Sequence, residues 1–259
     1  VRVDPFAEDA LHCDDFLGGQ ARIWQPKQGL GYRAGVDPVL LAASVEARPG
    51  EEVLELGCGA APALICLGVR VTGLRLAGVE VQPAYAALAR RNIAENGLQG
   101  MILEADLASP PAELKAQSFD HVLANPPYFE QGKRSVSPDA GIELAQAGAL
   151  PLADWVALAA KRLKPRGTAT FVQRVERLPE LVGALSTHLG SVEVLPLASR
   201  EGRAPRLILA RGRKGGRAAF RLCPPLVLHA GASHLEDGDD YTNVVKAALR
   251  DGKPVSFDG

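Results

Sequence analysis

Four consecutive residues, Asn125, Pro126, Pro127 and Tyr128, follow the apolar run that ends at Ala124. They combine a carboxamide, two locked backbone units and a flat aromatic ring. Each proline fixes its own φ and restricts the residue before it to extended geometry, so the Asn125 carboxamide and the Pro126 carbonyl are held still. An amino group on a planar base, or an amide nitrogen, is a poor nucleophile because its lone pair is delocalised. If the Asn125 oxygen and the Pro126 carbonyl each accept one of its hydrogens, positive charge developing on nitrogen is stabilised and the lone pair turns toward an electrophile. Tyr128 can stack on the flat face of such a substrate and fix its approach. The chemistry expected is group transfer to an exocyclic amine, with no general base needed beforehand.

A second set of residues supplies a place for a donor. Glu55, Gly57, Cys58 and Gly59 lie where an apolar strand runs into a glycine turn, and Ala61-Pro62 opens the next helix. Gly57 and Gly59 permit positive φ and close backbone approach by a ligand. Glu80 ends the following strand, 23 residues after Gly57, placed to accept hydrogen bonds from ribose hydroxyls; Asp106 ends the strand after that and could accept from an adenine amino group. A dinucleotide fold wants Gly-x-Gly-x-x-Gly, and Pro62 stands where the third glycine would be. An S-adenosylmethionine fold wants an acid before Gly-x-Gly-x-Gly; Glu55 satisfies the acid, and Ala61 replaces the third glycine. A glycine turn that merely links strand to helix is the plain alternative, but three acids at successive strand ends are harder to explain that way.

These residues need a scaffold that sets them along one edge. The chain has 259 residues, 47% hydrophobic and 23% charged, with a formal net charge of −1. That composition excludes intrinsic disorder and argues against a dedicated polycationic nucleic-acid binder. Residues 1–50 read as a leader, with a helix expected to begin at Asp37 as N-cap and Pro38 as first helical residue, closed by Pro49-Gly50. From residue 51 to 259, short β-rich runs at 53–56, 78–81, 101–105, 121–124 and 168–173 alternate with helical stretches. The pattern predicts one α/β domain with a doubly wound, mostly parallel sheet and ligands beyond its carboxyl edge. Residues 191–197 and 206–210 have no helix between them and predict an antiparallel hairpin. The run 218–229, broken by Cys223-Pro224-Pro225, predicts at most a short edge element. No Cys-x-x-Cys pair occurs, so reduced thiols are expected. No apolar stretch is long enough to span a bilayer and no signal-like segment is present, which makes a cytoplasmic protein the default expectation. His229 and His234 lack a third ligand, Asp237, Asp239 and Asp240 lack a calcium-loop pattern, and no metal is expected.

Residues 51–173 resemble the class I S-adenosylmethionine-dependent methyltransferases that carry an Asn-Pro-Pro-Tyr motif and methylate adenine N6, guanine N2 or glutamine amides. The leader, with Gln25, Gly31-Tyr32-Arg33-x-Gly35-x-Asp37 and Leu40-Leu41, is similar to the segment preceding the core in bacterial tRNA adenine-N6 methyltransferases, as are Phe129, Gly132 and Arg134 after the motif. The resemblance implies a Rossmann-like, seven-stranded fold and S-adenosylmethionine as cofactor. It puts Glu55, Gly57, Cys58, Gly59, Glu80 and Asp106, with Arg33 and Asp37 from the leader, on that cofactor. Asn125 to Tyr128 would take the target amine.

An RNA partner, a tRNA methylated beside its anticodon, is the implied substrate, and a monomer is the default assembly. The segment leaving Tyr128, with Phe129, Lys133 and Arg134, would orient the target base. From Arg200 to Arg221 eight basic residues, Arg203, Arg211, Arg213 and Lys214 among them, stand against one acid, Glu201. They could grip phosphates or form a solvated hairpin. The alternatives to adenine are a protein glutamine amide and guanine N2 in RNA; the alternative of another class is an inactive module that only binds cofactor or RNA.

Overall fold

A computed structural model describes residues 6–128, 150–231 and 240–258. In chain order the strands are β1 (Leu11–Phe16), β2 (Ala21–Pro26), β3 (Glu52–Leu56), β4 (Arg75–Glu80), β5 (Gly100–Glu104), β6 (Phe119–Ala124), β7 (Leu163–Arg174), β8 (Gly190–Ala198), β9 (Leu207–Arg213), β10 (Arg221–Leu222) and β11 (Leu226–Val227). The helices are α1 (Asp37–Ala43), α2 (Pro62–Arg70), α3 (Pro83–Glu95), α4 (Ala112–Lys115), α5 (Leu152–Arg162), α6 (Leu178–His188) and α7 (Asn243–Asp251).

The main sheet runs β5-β4-β3-β6-β7-β9-β8, and β10 and β11 pair with the outer side of β8. All pairings are parallel except those of β9, which is antiparallel to both β7 and β8. The expected C-terminal hairpin therefore exists, with its second strand inserted inside the sheet and its first outside it, bordered only by the two-residue β10 and β11. Strand order reverses between β3 and β6, and crevices for ligands form beyond the carboxyl ends at such a switch. Apolar cores cover both faces. One packs Leu40 and Leu41 of α1 against Leu64, Ile65 and Leu67 of α2, and the other packs Leu54 and Leu56 of β3 against Trp155 and Val156 of α5. Because both faces of β3 are covered, its residues 53–56 are all buried, Glu55 included.

The leader differs from its sequence reading in two ways. Residues 11–26 form an antiparallel hairpin, β1–β2, and α1 begins at Asp37 with Val36 as N-cap. The Asp37 side chain makes no cap hydrogen bond, and the helix ends at Ala43, where the Ser44 hydroxyl donates to the Leu41 carbonyl at 2.8 Å. Two asparagines of α3 dock the hairpin. Asn92 accepts from the Trp24 amide (2.8 Å) and donates to the Trp24 carbonyl (3.0 Å); Asn96 does the same for Arg22 at 2.9 and 2.6 Å. Four residues along a helix advance about 6 Å and two along a strand about 6.7 Å, so one row of carboxamides matches one edge of β2. Among the described residues, no helix is long and apolar enough to cross a membrane and no acid, cysteine or histidine cluster suits a metal ion.

Candidate active site

The glycine loop after β3 carries left-handed positions at alternate residues: Gly57 at φ +63°, Gly59 at +55° and Ala61 at +64°. Ala61 is the N-cap of α2 and has no side chain with which to cap it. Glu55 supplies the acceptor from the strand instead, taking the Leu64 amide of the first turn at 3.2 Å. Full burial holds its carboxyl well above the usual range, and the nearby Glu80 adds to that; the amide bond opposes the shift. The indole of Trp155, itself held by a bond from its Nε1–H to the Leu150 carbonyl, lies against Gly57. A Cβ there would sit 2.6 Å from the ring, whereas one on Gly59 would meet nothing within 4 Å.

Glu80 accepts from the Gly59 amide with one oxygen and from the Gln82 amide with the other, both at 2.8 Å. Burial raises its pKa, and amide bonds from Gln82, Gly59 and Val81 partly offset this. A carboxylate offers about four lone-pair directions, so with three amides on it one remains for an incoming hydroxyl. Beside it Val81 is 55% exposed, an apolar surface at a polar edge. Asp106 is exposed, and one of its oxygens accepts the Ala108 amide at 2.8 Å. Cys58, expected on the cofactor, faces elsewhere: its thiol packs where a Cβ on Gly78 would be and its amide donates to the Val79 carbonyl at 2.9 Å. Burial, then the charges of Glu55 and Glu80, push its thiol pKa well up, so it is an inert core group.

Register brings the second set of residues to this loop. Leu56 pairs with Ala124 across the switch point, so Gly57 and Asn125 leave adjacent strands side by side. Asn125 donates from Nδ2 to the Tyr32 hydroxyl at 3.4 Å. The Pro126 carbonyl accepts from Nε2 of the fully buried Gln173 at 3.4 Å, and Gln173 accepts the Arg174 amide at 2.9 Å. Tyr128 donates its hydroxyl to Asp37 at 2.8 Å, and the Arg174 guanidinium lies 5.5 Å from its ring centre. Burial first, then Asp37, push the Tyr128 hydroxyl pKa up, so it stays protonated at neutral pH.

Two leader residues thus serve differently from what the resemblance implies. Asp37, assigned there to the cofactor, accepts from the Tyr128 hydroxyl. Arg33 donates to the Pro26 carbonyl (2.6 Å) and to Asp14 (2.7 Å), and so braces the leader rather than facing the glycine loop. Gln25 completes that brace, donating to Asp14 at 3.0 Å and accepting the Ala34 amide at 2.7 Å.

Strand direction divides the basic segment. Leu207 of β9 pairs with Arg174 at the carboxyl edge, and Arg213 pairs with Thr168 near the opposite edge, a separation of about 20 Å. Arg203 and Arg206 are exposed and precede β9 at the carboxyl edge of β7, while Arg213 and Lys214 lie toward the opposite edge, with Arg211 between. Arg211 is in addition occupied by Glu193 (2.6 Å) and Glu46 (2.7 Å) over the Phe257 ring, and Arg213 and Lys214 donate to the carbonyls of Arg166 and Leu163. Arg211 is thus held in a structural clamp, whereas Arg213 and Lys214 are tied only to backbone carbonyls near the edge opposite the glycine loop. Phe129, Lys133 and Arg134 lie outside the described residues, as do His234, Asp237 and Asp239. Sequence reasoning gave no role to Tyr32, Val81, Trp155, Gln173 or Arg174. The position of Gln173 and Arg174 at the end of the strand beside β6 was the one available signal.

Comparison with known proteins agrees with this geometry. Residues 34–200 match the methyltransferase small domain family. Over 217 residues the chain is 31% identical to the tRNA1(Val) (adenine(37)-N6)-methyltransferase of Shewanella amazonensis, covering 81% of this chain and 85% of that one. The protein of the same name from Porphyromonas gingivalis is 27% identical over 80% of this chain and 85% of its own. Among solved structures, a predicted O-methyltransferase from Agrobacterium tumefaciens shares the fold with a TM-score of 0.67 at 23% identity, over 85% of this chain and 98% of that one. A T. thermophilus 16S rRNA N2 methyltransferase, solved with AdoMet and guanosine, has a TM-score of 0.55 at 22% identity, over 79% of this chain and 50% of that one.

Proposed function

The chain belongs to the methyltransferase small domain family and uses S-adenosylmethionine, and on that premise we propose that it methylates the exocyclic N6 of adenine in RNA, in a tRNA beside the anticodon. The residues present fit the cofactor: Gly59 leaves open space where a side chain would intrude, and Glu80 has acceptor capacity beside the apolar Val81. When bound, S-adenosylmethionine supplies an electrophilic sulfonium methyl. Glu80 would accept from a ribose hydroxyl, and Val81 and Asp106 would meet the purine face and its amino group, while Glu55 holds the loop by capping α2.

The target amine enters beside Gly57. Asn125 Oδ1 and the Pro126 carbonyl each accept one N–H, the nitrogen lone pair turns toward the methyl, and Tyr128 covers the base. Gln173, behind the Pro126 carbonyl, keeps that acceptor in place. The observation that carries this reading is the Leu56–Ala124 register, which sets the motif's carboxamide next to the glycine loop. The names of the similar proteins support adenine in tRNA, and so do Arg174, Arg203 and Arg206, exposed on this edge with no carboxylate partner among the described residues.

Nucleoside mass analysis of tRNA incubated with enzyme and labelled cofactor tests it. Label on N6-methyladenosine is the expected result; label on N2-methylguanosine, or only on a protein glutamine, overturns the substrate. Calorimetry with S-adenosylmethionine separates an inert module, for which no methyl transfer would accompany binding.

A further inference from the structure

An aromatic wall orients a base only if it stands in one place. The two prolines stiffen the backbone ahead of Tyr128, yet its side chain keeps three staggered χ1 wells, and the hydroxyl at the end of so long a ring moves by several ångströms from one well to the next. One bond meets only one of those positions: the Tyr128 hydroxyl donates to Oδ2 of Asp37 at 2.8 Å. An ionised carboxylate accepts and does not donate, so the phenol proton is committed and the bond has a single sense. We propose that Asp37 is a positioning residue for methyl transfer, which holds Tyr128 in the rotamer that stacks the target base and ties that ring to the helix layer carrying the cofactor loop. The inference rests on the assignment of Asn125 to Tyr128 to the target amine.

The surroundings make Asp37 a fixed reference. It is the first residue of α1, and Pro38 to Ala43 behind it are all buried. The far end of α1 is locked, since Arg70 of α2 donates to the carbonyls of Ala42 and Val45 and the Val255 amide donates to that of Ala43 at 2.9 Å. Leu40 and Leu41 share one core with Leu64, Ile65 and Leu67 of α2, the helix that opens directly from the glycine loop. Tyr128 therefore takes its position from the layer beside the methyl donor as well as from β6. Displacement at a sulfonium methyl needs the attacking nitrogen in line with the breaking bond, so the base plane must be referenced to the donor and not only to its own strand. Arg174, with its guanidinium 5.5 Å from the ring centre, makes a longer and less directional contact. Burial, then the charge of Asp37, push the Tyr128 pKa up, so the hydroxyl keeps the proton that the bond requires.

The test is a double-mutant cycle on the holoenzyme with tRNA, read as the single-turnover rate of methyl transfer at saturating RNA and S-adenosylmethionine. Tyr128→Phe keeps the ring and removes the donor, and Asp37→Ala removes the acceptor. Each should lower the rate by roughly tenfold or more, the scale of one hydrogen bond to a charged group, and the double variant should be no slower than either single one. Asp37→Asn retains an acceptor and should recover most of the rate, and calorimetry should give unchanged cofactor affinity throughout. Full rate in Tyr128→Phe overturns the proposal. So do losses that multiply in the double variant, which would mark separate packing roles, and so does an Asp37→Ala defect confined to cofactor affinity, which would return Asp37 to the cofactor. Should Asp37→Ala fail to fold, the same cycle with Asp37→Asn decides: its smaller loss must vanish in the Tyr128→Phe background. Tyr128→Ala at wild-type rate would instead remove the assignment of that ring to the base, an outcome separate from the others.

Discussion

Gly57 and Gly59 occupy the same backbone region but face different surroundings, and substituting alanine at each should separate folding from cofactor binding. The left-handed conformation costs an L-residue about 1–2 kcal/mol, and the reduced freedom of the unfolded chain returns about 0.4–1 kcal/mol. At Gly59 these are the whole effect on the free protein, because a Cβ meets nothing within 4 Å, so the net loss should be about 0–1.6 kcal/mol. At Gly57 the Cβ would lie 2.6 Å from the Trp155 ring, which is packed in the core between β3 and α5 and tied to the Leu150 carbonyl. Displacing it adds an overpacking cost of about 1–3 kcal/mol, for a total of about 1–4.6 kcal/mol. Urea unfolding should therefore rank Gly57→Ala below Gly59→Ala in stability. Calorimetry with S-adenosylmethionine should show the better-folded Gly59→Ala losing affinity, since its methyl enters the space the cofactor needs. Wild-type affinity in Gly59→Ala refutes the placement of the cofactor, and equal unfolding midpoints refute the Trp155 argument.

Asn125→Ala should lower kcat by about 10²–10³-fold, the cost of one preorganised acceptor, with S-adenosylmethionine affinity retained; isothermal titration alongside turnover checks both. Glu80 has a pKa raised above its ordinary 4.5, so between those two values the folded chain holds a proton that the unfolded chain lacks. Its contribution to stability therefore grows as pH falls through that window and is lost as pH rises, while its capacity to accept from ribose moves the other way. Cofactor affinity should weaken on acidification over the window, and Glu80→Gln should flatten that part of the profile; a decline persisting unchanged in Glu80→Gln assigns it elsewhere. Arg203→Ala with Arg206→Ala should reduce the salt slope of tRNA binding by roughly 0.7–0.9 per lost contact, whereas Arg213→Ala with Lys214→Ala should leave it at the parent value. The reverse ranking in filter-binding titrations would place the RNA on the opposite edge of the sheet.

Much of the site was legible because its pieces are local. Two prolines stiffen Asn125 wherever the chain goes, Gly57 and Gly59 reach positive φ without help, and strand–helix alternation implies a parallel sheet with Glu55, Glu80 and Asp106 along one edge. Each of those inferences needs only neighbours within a few residues and general rules for βαβ connections. The leader hairpin was not legible, because β2 satisfies its edge with asparagine side chains 68 and 74 residues away rather than with a patterned third strand. Nor was the division of the basic segment, which depends on β9 running against β7, so that arginines close in sequence end at opposite edges. Tyr32, Asp37 and Gln173 stand in the same class: a tyrosine, an acid and an amide are ordinary where they occur, and acquire a role only when docking brings them against Asn125, Tyr128 and Pro126. Backbone preference is a property of the residue and its neighbours, whereas the partner of a side chain is set by register and strand direction summed over the whole fold. In this protein the sequence by itself determined the candidate groups and the rigidity of their backbone, and tertiary structure alone decided which distant residues contact them.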